Sequence, residues 1–305
     1  MNYESKTAGS WLSNHGYNTV LKSAAKLDKR RWYVENIEEL KELRDSTKAV
    51  LLAEQYQTES ILRANGLSQN TNPAEIQGIN EVQNPSPFSQ RKKIRRNFHI
   101  DFFGMPRSGK DSLVGKINAL AHPKIVCTDE PYISLKRLKK FPKEGGLEQQ
   151  QYILAAVFGE FIEGEVQLRQ RKIKKRGFII HNRSFADNPI FAIARLFYGD
   201  IPFEDYFHPR EGWIFRATTD ADAVIILMQL PEVSIQRKIK TLDGVSQRHI
   251  NPEFLGILYE QYLRTIISLK NIGQKNLAII DSSGDEESNF QHLRNVLSQI
   301  IGESL

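Results

Sequence analysis

The chain has 305 residues, with 42 Lys and Arg against 36 Asp and Glu, so its formal net charge is +6. This length allows one large domain or two smaller ones, and a hydrophobic content of 40% excludes a mainly disordered chain. The single cysteine, Cys127, excludes an intrachain disulfide framework and a cysteine-built zinc site, and we expect a reducing, cytoplasmic location. No apolar run is long enough for a transmembrane helix, and the first residues lack the apolar core of a secretory signal.

The first predicted element is a helix over residues 36–65. Asn36 and Glu39 fit a start that resembles a capping box, and Gly66 is a suitable stop. An apolar stripe of helical period runs through it at Ile37, Leu40, Leu43, Val50 and Leu51. The stripe indicates that this helix needs a partner surface, either a second copy of the chain or the remainder of this one.

A linker and a basic run follow the helix. Residues 67–90 are rich in Asn, Gln, Ser and Pro, which is typical of a linker, and they lead into the basic run Arg91–Arg96. The predicted linker spans residues 67–95. A solvated flank before a strand is favoured for this run over a phosphate or nucleic-acid patch. The run alone supplies five positive charges, so the net charge is weak support for an anionic ligand. We predict a helical region over 1–66 and a separate domain over 96–305.

The pattern changes from residue 97 onward, where short apolar runs alternate with helical stretches. The apolar runs are 98–103, 124–127, 178–180, 223–228 and 277–280. The helical stretches are 109–121, 147–175, 186–198, 232–241, 253–271 and 287–301. Apolar runs separated by helices predict an α/β fold, with a five-stranded parallel sheet that is covered by helices on both faces.

A phosphate-binding loop of the form G-x-x-x-x-G-K (Walker A) follows the first predicted strand. Gly104 and Gly109 allow the backbone to turn so tightly that consecutive N–H groups point at one phosphate. The helix that follows presents its N-terminus to the same anion, and Lys110 reaches the outer phosphates. The predicted nucleotide-binding residues are Gly104, Pro106, Arg107, Ser108, Gly109, Lys110, Asp111 and Ser112.

One position departs from the usual form of this loop. The residue after the lysine is normally Ser or Thr, whose hydroxyl binds Mg²⁺, but here it is Asp111, and Ser112 comes next. Mg²⁺ prefers hard oxygen ligands, so a carboxylate is acceptable. Either Asp111 takes the metal role, or Ser112 takes it after a small backbone adjustment.

Polar residues follow three other predicted strands, at the edge of the sheet where ligands bind. Thr128-Asp129-Glu130-Pro131-Tyr132 follows the second strand, and a carboxylate here is either a general base or part of an ordinary turn. Arg183, after the third, either stabilises a transferring phosphoryl group or is a surface arginine beside a helix cap. Arg237 and Arg248 after the fourth indicate either a mobile cationic lid or a solvated basic helix.

Together these segments resemble the deoxynucleoside kinase and thymidylate kinase group of P-loop kinases. The motifs that carry the resemblance are GMPRSGKDS, TDEPY, NRSFADNPIFA and LPEVSIQRKIK, followed by a long helix around EFLGILYEQYL. They occur in order over residues 97–305, and the Glu-Pro after the second strand is closer to the deoxynucleoside kinases. The resemblance implies a P-loop NTPase fold of three layers, αβα, with Mg²⁺ as cofactor and ATP as phosphoryl donor. It also implies a homodimer.

The resemblance also assigns roles to single residues. Glu130 matches a glutamate that acts as general base on the sugar hydroxyl, and Arg183 matches an arginine near the reacting groups. Arg237 and Arg248 match lid cations. The implied substrate-binding residues are Gln150, which reads the base edge, Asp187 and Phe191, which contact or stack on the base, and Glu204, which meets the sugar 3′-hydroxyl.

Asn182 departs from the pattern of the deoxynucleoside kinases that this chain resembles, because they have Glu or Asp at this position. A carboxylate that helps to hold metal or to orient the arginine is therefore missing, and Asp111 is a candidate to replace its charge. The lid also lacks the usual Arg-rich pattern, and residues 1–95 match nothing in this family.

The sequence thus predicts an ATP- and Mg²⁺-dependent phosphotransferase that acts on the 5′-hydroxyl of a nucleoside or deoxynucleoside. One alternative keeps the chemistry and takes a nucleoside monophosphate such as dTMP as acceptor. The other alternative is a P-loop switch or scaffold with little or no transfer, with the N-terminal region as its interaction arm. Neither a membrane nor a nucleic acid is expected as a partner.

Overall fold

The computed structural model describes residues 47–76, 97–130, 147–171, 177–183, 187–198, 221–241, 251–271, 274 and 276–305. The chain divides into two compact units, Met1–Ser68 and Gln69–Leu305. The first unit contains helix α1, Thr47–Ala64. Its end is closed by Gly66, whose φ is +67°, and by a bond from Leu67 N to Leu62 O. The predicted start at Asn36 lies outside the described residues.

The second unit begins with a short ordered segment. Asn72 caps the 3₁₀ helix Pro73–Glu75 by accepting a hydrogen bond from Ala74 N, and Pro73 itself is buried. The Tyr259 hydroxyl donates to Thr71 O, which fixes this segment to the unit. Residues 77–96, with the basic run, lie outside the described part of the chain. The linker over 67–95 therefore stays a prediction.

The sheet of the second unit has five parallel strands in the described residues, in the order β2-β3-β1-β4-β5. The strands are β1 Phe98–Gly104, β2 Ile125–Cys127, β3 Phe178–Asn182, β4 Ala223–Met228 and β5 Leu277–Asp281. In register, Phe98 lies beside Phe178 and Gly104 beside Leu227. Strands that are buried on both faces of a sheet consist of nearly continuous apolar residues, so their positions can be predicted from the sequence.

Six helices connect and flank these strands in the described part of the second unit. They are α2 Lys110–Ala119, α3 Leu147–Gln170, α4 Asp187–Phe197, α5 Pro231–Thr241, α6 Pro252–Asn271 and α7 Glu286–Ile301. Helix α7 begins where Asp285 accepts a hydrogen bond from Ser288 N and ends at Gly302, whose φ is +78°. None of the described helices is both long and apolar enough to cross a membrane.

The helices cover both faces of the sheet. On one face, Leu113 of α2 and Leu297 of α7 belong to the apolar core that contains Phe102 of β1. On the other face, Leu168 of α3 packs with Ile179 of β3. Burying one such side chain contributes about 1.5–3 kcal/mol, so the two faces hold the layers together. The predicted three-layer α/β fold with a five-stranded parallel sheet is confirmed.

Candidate functional site

The phosphate loop lies between β1 and α2, at the carboxyl edge of the sheet. Met105 N donates to Leu227 O at 3.0 Å, and Ser108 N donates to Met105 O at 3.2 Å. Arg107 and Gly109 have φ values of +63° and +83°, which turn the chain back on itself. Helix α2 begins directly after the loop, so its free N–H groups face the same concavity. This geometry is suited to hold an anion.

Gly104 lets the loop approach β4 closely. A Cβ built at this position would lie 2.2 Å from Leu227 O, a backbone atom that no side-chain rotation can move away. We expect Gly104→Ala to lower the free energy of unfolding by about 3 kcal/mol or more, because the strand pair must separate. At roughly 2–4 °C per kcal/mol, thermal denaturation should show a Tm lower by roughly 6–12 °C.

Gly115→Ala is the matched control for this substitution. Its Cβ meets nothing within 4 Å on helix α2. Alanine is the better helix former there, so the control should gain about 0.5–1 kcal/mol. A Gly104→Ala protein as stable as the wild type would contradict the close approach of the loop to β4.

The two positions that depart from the family pattern are in direct contact. Asn182 Nδ2 donates to Asp111 Oδ1 at 3.0 Å, and Lys110 Nζ lies 3.5 Å from the same oxygen. Desolvation works to raise the pKa of Asp111, but Lys110, the Asn182 hydrogen bond and Arg183 outweigh it and hold that pKa below its usual value. Asp111 is therefore an anion whose exposed carboxylate lies at the start of α2.

The surroundings of Asp111 and Ser112 distinguish the two candidate metal ligands. Asn182 Oδ1, beside Asp111, is buried and has no hydrogen-bond partner. Ser112 instead interacts with Glu286 of α7 and is the largest cause that holds the pKa of Glu286 below its usual value. No ready-made cluster of three or more His, Cys, Asp or Glu side chains is found in the described ranges. Asp111 with the unpartnered Asn182 oxygen fits a hard cation.

Glu130 and Arg183 form an ion pair at the ends of β2 and β3. Arg183 Nε lies 2.7 Å from Glu130 Oε1, and the Glu130 side chain is only 13% exposed. Arg183 N donates to Phe102 O at 3.0 Å, and the φ of Arg183 is +72°. A long L side chain rarely adopts this backbone region, and such residues cluster at functional sites. Arg183 Nε is close to Glu130 as an ion pair but is not aligned with it for a hydrogen bond.

Asp187, Phe191 and Tyr262 surround the other sides of Arg183. Asp187 Oδ2 lies 3.5 Å from Arg183 Nε, and the guanidinium lies over the Phe191 ring, 5.2 Å from its centroid. The Tyr262 hydroxyl donates to Asp187 and lies 2.8 Å from Gly104 O. Burial and Asp187 raise the pKa of Tyr262, so this hydroxyl keeps its proton. Tyr262 thereby links the phosphate loop to the arginine cluster.

His181 belongs to a separate buried cluster behind this site. His181 Nε2 lies 2.9 Å from His99 Nδ1, and His99 Nε2 lies 3.1 Å from Glu165 Oε1. The ring of Phe161 stacks on both imidazoles, with centroids 4.5 and 5.1 Å away. Burial, followed by the charge of His99, lowers the pKa of His181 to about 3. A neutral His181 stacked on Phe161 fits a structural role.

Arg237 lies against the outside of the phosphate loop. Its Nη1 donates to Arg107 O at 3.2 Å and to Gln229 Oε1 at 2.6 Å. Its Nη2 donates to Gly284 O at 2.6 Å and to Ser283 O at 3.2 Å. The guanidinium therefore joins the loop after β1 to the loop after β5, and its role as a lid cation stays a prediction.

Three other predicted site residues have no described side chain. Gln150 lies in the first turn of α3, where the backbone alone is described. Glu204 and Arg248 lie outside the described residues. Their assignments to the base, the sugar and the donor phosphates stay predictions.

The chain matches no protein-family model and no curated protein sequence. Weak similarity to solved structures is found. NadR protein in complex with NR has a TM-score of 0.46 and 14% identity, and the match covers 68% of this chain and 51% of that chain. The chain thus spans about half the length of that NadR structure.

Two further similar structures are of deoxyadenosine kinase from M. mycoides. One is with the products dCMP and a flexible dCDP and the other has bound dATP; each has a TM-score of 0.44 and 18% identity. The matches cover 67% and 66% of this chain and 100% of the kinase. Family membership stays a prediction at this level of similarity.

Proposed function

We propose that the second unit is an ATP-dependent phosphotransferase that acts on the 5′-hydroxyl of a nucleoside or deoxynucleoside. The observation that carries this proposal is the 2.7 Å pair of Glu130 and Arg183 at the carboxyl edge of the sheet. Tyr262 connects this pair to Gly104 of the phosphate loop through Asp187. A carboxylate base and a phosphate cradle on one edge are the parts that transfer to a hydroxyl requires.

The proposed reaction divides the work among three groups. Glu130 accepts the proton of the 5′-hydroxyl, whose oxygen attacks the γ-phosphorus of ATP while the bond to the β-phosphate oxygen breaks and ADP leaves. Arg183 orients Glu130 and offsets charge on the transferring group. Lys110 and the loop amides hold the donor phosphates, and the buried position of Lys110 restrains its ammonium.

Asp111 and Asn182 are the residues that would hold Mg²⁺. Bound there, the ion would neutralise charge on the donor phosphates. The unpartnered Asn182 oxygen beside an exposed carboxylate supports this assignment. Lys110 Nζ lies 3.5 Å from Asp111 Oδ1, so the Asp111 carboxylate also holds the Lys110 ammonium at the start of α2.

We expect Asp111→Ser to raise the Mg²⁺ concentration needed for half-maximal ATP affinity by about tenfold, since a hydroxyl replaces a charged ligand. The measurement is Mg²⁺ titration of ATP binding by calorimetry, which needs no turnover. Asp285→Ser, a carboxylate that caps α7, is the control, and its Mg²⁺ requirement should be unchanged. Unchanged Mg²⁺ dependence in Asp111→Ser would remove Asp111 from the metal site.

The decisive experiment is a coupled assay of the full chain with ATP against all nucleosides, deoxynucleosides and their monophosphates. Transfer to a nucleoside supports the proposal. Transfer to monophosphates alone would replace it with the monophosphate kinase alternative. ATP binding without transfer to any acceptor would leave a P-loop switch or scaffold.

A further inference from the structure

The carbonyl oxygen of Pro106, in the phosphate loop, accepts hydrogen bonds from two buried polar side chains, those of Gln229 and Ser234. Gln229 Nε2 and Ser234 Oγ each lie 2.9 Å from Pro106 O. Gln229 Nε2 also donates to Ser234 Oγ at 2.7 Å, and both side chains are 0% exposed. Gln229 follows β4 and Ser234 lies in the first turn of α5, so neither belongs to the loop that they contact.

The polar side-chain atoms of this pair all have partners. Gln229 Nε2 lies within hydrogen-bond distance of both Pro106 O and Ser234 Oγ, and the Ser234 hydroxyl donates to Pro106 O. Gln229 Oε1 accepts from Arg237, which also holds the next carbonyl, Arg107 O. A buried network in which every group is satisfied fixes one geometry, because any rearrangement leaves a buried group unpaired.

The peptide unit between Pro106 and Arg107 is the one whose direction matters most. In a trans peptide the C=O and the N–H point in opposite directions. A Pro106 carbonyl that points at Gln229 and Ser234 therefore turns the Arg107 N–H away from them, toward the phosphate side of the loop. The residue that follows this peptide, Arg107, has a φ of +63°, which an L residue rarely adopts. Strained conformations persist only where the surroundings enforce them, and the contacts to Pro106 O are such an enforcement.

We propose that Gln229 and Ser234 are positioning residues that hold the Pro106–Arg107 peptide in its phosphate-binding orientation. This inference rests on the proposed function, because it assumes that the loop binds the phosphates of a nucleotide. Arg237 joins the same network to the loop after β5, because it donates both to Gln229 Oε1 and to Gly284 O. The pair acts through the backbone and contacts neither substrate.

The test measures the dissociation constant for ATP and the Tm of Ser234→Ala and Gln229→Leu, each in two backgrounds. In the wild-type background, we expect the Kd of Ser234→Ala to rise about tenfold, because the strained peptide loses a bond that holds it. In an Arg107→Gly background, the same substitution should raise Kd by about twofold or less, because glycine adopts positive φ without strain. Gln229→Leu should follow the same pattern.

Ser282→Ala is the matched control. Its hydroxyl is equally buried and donates to Met228 O at 3.0 Å, outside the phosphate loop. Its Kd for ATP should equal that of the wild type, although its Tm falls.

Each outcome decides a different claim. A wild type without affinity for ATP overturns the proposed function, and the inference with it. A wild type that binds ATP while Ser234→Ala binds equally well, or loses the same factor in both Arg107 backgrounds, overturns the inference and leaves the proposed function standing. If Ser234→Ala does not fold, the Kd of Gln229→Leu in the two Arg107 backgrounds provides the same test.

Discussion

Glu130→Gln is expected to lower the turnover number by roughly 10²–10⁴-fold, the range over which a general base contributes. The amide keeps the shape of the side chain and can still contact Arg183, but it cannot accept the hydroxyl proton. The Kd for ATP should stay within about twofold of the wild type, because the proposed mechanism assigns Glu130 to the acceptor and the phosphate loop to the donor. Single-turnover kinetics and calorimetry measure the two quantities separately.

Asp129→Asn is the control for the base assignment. Asp129 is the neighbouring exposed carboxylate, and the substitution removes the same charge one residue away. It should leave turnover within a few-fold of the wild type, as is usual for an exposed side chain that takes no part in proton transfer. Equal losses of turnover and of ATP affinity in Glu130→Gln would reject the role of Glu130 as a base.

The fold was predictable because each strand is buried on both faces. Strand β4, for example, is apolar throughout from Ala223 to Met228, and a short apolar run between amphipathic helices predicts a strand that is buried on both faces. Element ends were less predictable. Helix α3 ends at Gln170 and Arg171 lies in a turn, whereas the sequence pattern predicts a helix to residue 175. Residues 172–175 lie outside the described part of the chain.

The site was predictable where it follows from local pattern and sheet topology. The loop from Gly104 and the residues after β2 and β3 lie at one edge because parallel strands end there. Asp111 and Asn182 are in contact, and whether Asp111 replaces the missing charge stays a prediction. Whether the pair binds metal stays a prediction that the Asp111→Ser titration tests.

The residues that the sequence did not single out all lie far along the chain from the phosphate-loop atoms that they contact. Tyr262 lies on α6, 158 residues from the Gly104 carbonyl that it contacts. Gln229 and Ser234 are ordinary residues in their own elements and become specific only through the register of β4 beside β1. A polar residue directly after a fully buried strand was the available signal for Gln229, since such a residue must find a partner.

Arg183→Lys is expected to lower turnover by about 10²–10³-fold, the range measured when one preorganised donor to a developing charge is removed. The substitution keeps the positive charge but loses the planar group that lies 2.7 Å from Glu130 and 3.5 Å from Asp187 while stacking over Phe191. An ammonium is a point charge and cannot keep these three contacts at once. Glu130 then loses its orientation, and the transferring group loses a donor.

The measurements are turnover number and the Kd of both substrates, with Arg294→Lys as the control. Arg294 of α7 donates to the carbonyl of Leu305, so the control makes the same chemical change without touching the sheet edge. Its turnover should equal that of the wild type. If Arg183→Lys retains full turnover, a positive charge alone suffices at this position. The positive φ of Arg183 and its three contacts would then serve the stability of the site and not the reaction.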